Sequence, residues 1–108
     1  MTPEKKVKNK VVAILKEHKA YYFYPMTGGY GRSGVPDIVG CYRGIFFGIE
    51  CKAKANKPTA LQNKNLSDIM GAGGMAMVVN ENNISDVYVM LRSIRDEEIT
   101  HGQTITGV

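Results

Sequence analysis

Residues 34–54, GVPDIVGCYRGIFFGIECKAK, constrain the fold of this chain more than any other stretch. Two runs rich in Val, Ile, Tyr, Phe and Cys, residues 36–42 and 45–52, flank Arg43-Gly44. Glycine takes the positive φ that two-residue hairpin turns need, so the pair predicts a tight turn between antiparallel strands. With Arg43-Gly44 as the loop, Tyr42 faces Ile45, Cys41 faces Phe46, Val39 faces Gly48 and Asp37 faces Glu50. Directly opposed residues hold their Cβ atoms roughly 4.5–5.5 Å apart on one face. Strand alternation puts Lys52 on the same face as Glu50.

Two facing carboxylates repel. At ~5 Å and an effective dielectric of about 20 the cost is on the order of 3 kcal/mol. A hairpin gains nothing in stability from that arrangement, but a cation between the two acids reverses the sign. Carboxylates at this separation can share a hard divalent ion, and Lys52 can stand beside it. Isolated D…E…K triplets are common on the solvated ends of hairpins. Here, however, Glu50 and Lys52 close the apolar run 46–49, and Asp37 opens another.

The rest of the chain supplies the partners for such a hairpin. Thr2-Pro3-Glu4 is a helix start: Thr as N-cap, Pro in the first position, an acid in the first turn. An apolar stripe of Val7, Val11, Ile14, Leu15 and His18 follows. Projected back one turn it reaches Glu4, while Lys5, Lys6, Lys8 and Lys10 fall mostly on other faces. Residues 21–24, YYFY, predict a first strand. Residues 25–35 form the longest loop and hold four glycines; as a DNA-facing loop it would offer Tyr30, Arg32 and Ser33 to the phosphate backbone. After the hairpin, residues 53–57 are a basic link carrying Lys54 and Lys57. Pro58-Thr59 opens a helix to about Met70 with Leu66, Ile69 and Met70 inward. Thr59 and Gln62 form a T-x-x-Q capping box. Residues 75–79 read as one buried strand, parallel to a neighbour across the helical crossover. Residues 83–85 cap a last helix with Ile84, Val87, Leu91 and Ile94 at helical spacing, and residues 96–108 read as a polar tail. The order is α-β-β-β-α-β-α, an α/β domain with a mixed sheet flanked by helices.

At 108 residues the chain makes one domain, 1–108, with its core over about residues 3–95. Hydrophobic residues are 44% and charged residues 22%, and no apolar run approaches the length of a membrane span. No apolar stretch follows the Lys-rich N-terminus, which argues against a secretory signal. Fourteen Lys and Arg against ten Asp and Glu give +4, which suits a polyanionic partner. Cys41 and Cys51 fall on opposite faces of the hairpin and read as small core hydrophobes of a reducing compartment.

Pro36-Asp37, twelve residues, then Glu50-Cys51-Lys52 resembles the PD-(D/E)xK nuclease signature. With Glu4 at the first helix and Gln62 on a later one, the chain resembles, over about residues 3–95, the small stand-alone VRR-NUC (virus-type replication-repair nuclease) domains of phages. The resemblance implies a restriction-endonuclease-like core and a metal-dependent DNA endonuclease. Asp37, Glu50 and the backbone carbonyl of Cys51 would bind Mg²⁺ or Mn²⁺. Lys52 would position the attacking water, and Glu4 and Gln62 would complete the catalytic set. Arg32, Ser33, Tyr30, Lys54 and Lys57 would contact DNA. The resemblance further implies a homodimer acting on branched DNA such as four-way junctions, in the cytoplasm of a bacterium or of a phage's bacterial host. Surplus apolar residues at 21–24, Val89 and Met90 agree with a dimer. Two alternatives stand beside this: a non-catalytic nucleic-acid-binding module on the same fold, which has no use for an intact Asp37, Glu50 and Lys52, and an interaction protein without nucleic acid, which leaves the opposed acids unexplained.

Overall fold

The computed structural model describes the backbone of residues 1–26 and 31–105 and the side chains of those residues up to 96. Its elements are α1 (Pro3–Glu17), β1 (Tyr21–Phe23), β2 (Ile38–Tyr42), β3 (Ile45–Cys51), α2 (Ala60–Gly71), β4 (Met75–Val79) and α3 (Asp86–Ile105). The four strands form one mixed sheet in the order β1-β2-β3-β4. The element order matches the sequence expectation.

The hairpin lies in the expected register: Tyr42 opposes Ile45, Cys41 opposes Phe46 and Val39 opposes Gly48. Arg43 at φ +50° and Gly44 at φ +87° give the two positive φ values of a type I′ turn, whose twist matches that of the strands. β4 runs parallel to β3, with Ile49 beside Met77 and Cys51 beside Val79, and α2 makes the crossover between them.

Strand alternation sorts the sheet into two faces. Ile38, Tyr42, Phe47, Ile49, Cys51 and Val79 join Val7, Val11, Ile14 and Leu15 of α1 and Val87, Met90, Leu91 and Ile94 of α3 in the main core. On the opposite face α2 packs against β3 and β4, with Ile69 over Gly48 and Gly74. α1 is held at its start by Thr2, whose hydroxyl accepts the Lys5 N–H at 3.1 Å. The capping box of α2 is complete: Thr59 Oγ1 accepts the Gln62 N–H, and the Gln62 amide oxygen accepts the Thr59 N–H.

Four details differ from the sequence expectation. Cys41 is exposed, not a core residue, because it lies on the α2 face near the sheet edge while α2 covers β3 and β4. Met70 is exposed because the buried side of α2 is centred on Asn65, Leu66 and Ile69. Met90 is buried, completing an 87/90/91/94 stripe, so only Val89 of that pair is surplus surface. Finally, α3 runs on to Ile105 where a polar tail was expected; Gly102 within it costs only about 1 kcal/mol relative to Ala.

Gly40 lies opposite Tyr22 of β1 in the sheet's edge pair. A Cβ there would lie 2.0 Å from the Tyr21 carbonyl oxygen and 2.7 Å from the Phe47 ring. Gly40→Ala should therefore destabilise the protein by about 1–3 kcal/mol, as overpacking against backbone does. Urea unfolding checks this; an unchanged midpoint would mean that β1 shifts without cost.

Candidate metal and phosphodiester site

The end of β3, the residue just before β2 and the first turn of α1 meet at one point. Glu50 sits one residue before the end of β3 and is 1% exposed. Asp37 precedes β2 and is half-buried, and exposed Glu4 comes from α1. One carboxylate oxygen from each lies within 4.8 Å of the other two. The core stripe Val7–Val11 fixes the rotation of α1 and thereby delivers Glu4, one turn before Val7, to the pair.

Asp37 is held by more than position. Its Oδ2 accepts the backbone N–H of Cys51 at 2.8 Å. This side-chain bond takes the place of the next main-chain rung between β2 and β3, whose pairing stops at Ile38–Ile49 while β3 runs on to Cys51 beside β4. In an extended strand a residue's own N–H and C=O point toward the same neighbour, so the Cys51 carbonyl faces the Asp37 edge. The Cys51 side chain is fully buried on the core face, and burial, followed by the charges of Asp37 and Glu50, pushes its thiol up to about 12. The thiol therefore stays protonated.

Lys52 Nζ lies 3.2 Å from Glu50 Oε2, with only 15% of the lysine side chain exposed. The second oxygen, Glu50 Oε1, is buried without a hydrogen-bond partner. Burial above all, and then the neighbouring charge of Asp37, raises the Glu50 pKa; the hydrogen bond and charge of Lys52 and a backbone hydrogen bond from Asp37 pull it partly back. An orphaned, desolvated carboxylate oxygen beside two further acids is the donor chemistry that Mg²⁺ or Mn²⁺ takes.

Two open clefts meet at Thr2 and Glu4. One, of about 240 Å³, is lined by Thr2, Glu4, Lys5, Lys8 and Asp37. The other, of about 140 Å³, is lined by Thr2, Pro3, Glu4, Ala53, Lys54 and Asn56. The acidic centre thus has a lysine-bearing cleft on each of two sides. Lys54 takes φ +58°, and its N–H donates to Glu81 Oε2 at 2.9 Å, which ties the basic link to the turn before α3.

Gln62, Arg32 and Ser33 make their bonds with α2 and its cap. Gln62 is half-buried with its amide oxygen engaged in the α2 cap. Arg32 pairs with Asp68 of α2, which also holds Lys64, and lines a groove with Phe46, Asn65 and Ile69. The Ser33 carbonyl accepts from the Asn65 side chain at 3.0 Å. Lys57 is exposed, and Tyr30 lies outside the described residues. Neither a scan of the sequence against protein-family models nor a search of curated proteins finds a match.

Sequence reasoning passed over Asn65 and Glu81, and it read Lys5 and Lys8 as part of a solvated lysine face with phosphate contact as the sharper alternative. Lys8 carried a usable signal, since it lies four residues after Glu4 and residues so spaced share a helix face. Asn65 and Glu81 act on segments distant in sequence, and nothing local marks them.

The raised Glu50 pKa sets a pH dependence. The folded state keeps the Glu50 proton to higher pH than the unfolded chain, whose ordinary value is 4.5. Across that window the folded state binds more protons, so stability falls as pH rises through it. In EDTA, Glu50→Gln removes the loss and should gain stability relative to the parent between about pH 4 and pH 8. Urea midpoints at both pH values test this; a parallel pH response in the two proteins would contradict it.

Proposed function

We propose that the chain is a divalent-metal-dependent DNA endonuclease that hydrolyses phosphodiester bonds. The observation that carries this reading is the convergence of Glu4, Asp37 and Glu50 within 4.8 Å beside Lys52. The Pro36-Asp37…Glu50-Cys51-Lys52 pattern, with its resemblance to the VRR-NUC nucleases, supports it, as does the net charge of +4. The α/β fold with its four-stranded mixed sheet is compatible with a restriction-endonuclease-like core.

Asp37, Glu50, the Cys51 carbonyl and Glu4 would hold Mg²⁺ or Mn²⁺. The bound ion would supply Lewis-acid polarisation of the scissile phosphate and stabilise the charge developing there. Lys52, anchored by Glu50, presents its ammonium group where the phosphate's negative charge grows and orients the attacking water. The water oxygen bonds to phosphorus as the bond to the leaving sugar oxygen breaks, leaving a phosphate monoester and a hydroxyl. Lys54 would bind the flanking backbone. Arg32 could do so only by exchanging its Asp68 partner for a phosphate.

Asp37→Asn and Glu50→Gln should each abolish cleavage in Mg²⁺ and Mn²⁺. Asn can still accept the Cys51 N–H, whereas Asp37→Ala would orphan that donor at a cost of about 1–3 kcal/mol and confound the result. Lys52→Ala should lose cleavage while calorimetry still shows metal binding. Near-parental cleavage by either acid variant removes the assignment.

We further propose that the active form is a homodimer that cuts branched DNA, four-way junctions in particular. A two-fold dimer carries two sites related by the symmetry of two opposed cuts. Tyr21, Phe23, Tyr24, Phe46 and Val89 are 69%, 48%, 46%, 45% and 57% exposed, more apolar surface than one small domain needs outside. Light scattering at micromolar concentration should give twice the 11.9 kDa chain mass; a monomer both free and on a junction would leave a nicking or flap nuclease instead.

A further inference from the structure

α1 carries five lysines, Lys5, Lys6, Lys8, Lys10 and Lys16, and all but Lys8 are exposed. Lys8 is half-buried, and its Nζ lies 4.7 Å from the centroid of the Tyr24 ring. The ring face attracts the ammonium group and favours this arrangement of the long side chain. In that arrangement Lys8 lines the same cleft as Glu4 and Asp37. A cation held on an aromatic face at the rim of an acidic centre has its charge only partly answered by the ring. It is poised for an anion arriving in the cleft. It forms no salt bridge with Glu4, four residues away, although that spacing would allow one.

We infer that Lys8, positioned by Tyr24, binds the backbone phosphate next to the scissile one. This deepens the nuclease reading and rests on it. The acidic centre repels every phosphate of an approaching strand until cations offset it. Lys54 lines the second cleft that meets the first at Thr2 and Glu4. Lys8 is its counterpart in the first, so the cut phosphate would lie between two neutralised neighbours. Tyr24 is a positioning residue in this scheme, and Lys8 touches substrate.

The test separates this inference from the nuclease reading. Binding of a short DNA duplex is measured in EDTA as a function of salt for the parent protein, Lys8→Ala, Lys8→Gln, Lys8→Arg and Lys16→Ala. Lys8→Gln keeps the stem over the ring and guards against a folding defect, which thermal melts monitor. Loss of one phosphate contact should make the slope of log K against log salt shallower by about 0.9 in both Lys8→Ala and Lys8→Gln. Lys8→Arg should restore it. Lys16→Ala removes the same charge from the other end of the helix and should leave the slope in place. Tyr24→Leu should weaken binding by about two- to fivefold, and Tyr24→Phe, which keeps the ring, should not. In Mg²⁺, loss of Lys8 should act mainly through KM. A methylphosphonate at the phosphate beside the mapped cut should erase the difference between the parent and Lys8→Ala. An unchanged slope in the Lys8 variants, or the same change in Lys16→Ala, overturns the role of Lys8 whether or not the protein cuts. A parent protein that binds DNA but cuts it in neither metal overturns the nuclease reading, and with it the placement beside a scissile phosphate, whatever the slopes show.

Discussion

The hydrogen bond from the Cys51 N–H to Asp37 is the contact on which the site depends. It ends the β2–β3 ladder and turns one side chain of the site into a structural acceptor. It also aligns the Cys51 carbonyl with the same edge. The register behind it admits no slip: a shift of one residue would turn Phe47, Ile49 and Cys51 out of the core and bring Glu50 into it. The apolar core therefore enforces the position of two carboxylates whose mutual repulsion the fold would otherwise avoid. The fold tolerates the strain because Lys52 answers half of the Glu50 carboxylate, while the other oxygen goes without a partner.

The electrostatics around this centre alternate in sign. Three acids occupy the middle, Lys52 stands directly beside them, and lysines line the two clefts that lead away. A purely basic groove would bind a polyanion without discriminating among its phosphates. With an acidic centre and basic flanks, the flanking lysines attract phosphates without any ion, whereas the middle is unfavourable for a phosphate until a divalent cation converts it to net attraction. α1 contributes to both, supplying Glu4 from its first turn and Lys8 one turn later. Its placement is in turn set by Val7 and Val11 in the core.

On the other face of the sheet the packing is less complete. α2 covers β3 and β4, and its Asp68 and Asn65 hold the Arg32-Ser33 segment against the helix. Gly34 fits there at φ +76° because a Cβ would lie 2.6 Å from Leu61. This end of the Gly-rich loop is thus docked on α2 by specific bonds. Beyond it, Tyr21, Cys41 and Phe46 follow one another across β1, β2 and β3 and are exposed on the sheet face at the rim of α2.

The sequence by itself determined the element order, the Arg43-Gly44 turn, the hairpin register and the caps of α1 and α2. Each of these rests on residues a few positions apart, where strand alternation, helical spacing and turn chemistry act locally. It also brought Asp37, Glu50 and Lys52 together, because one tight turn converts their sequence separation into adjacency. Glu4 was legible only as a continuation of the stripe that Val7 begins. The tertiary structure alone decided that Asp37 would accept a backbone N–H, that Glu50 would be desolvated with one oxygen unpaired, and that Arg32 would be paired with Asp68. It alone laid Lys8 on Tyr24 at the acidic cleft and left Cys41 exposed while burying Met90. Those outcomes depend on how far α1, α2 and α3 extend over a four-stranded sheet, a matter of packing between segments distant along the chain, which no local pattern of residues encodes.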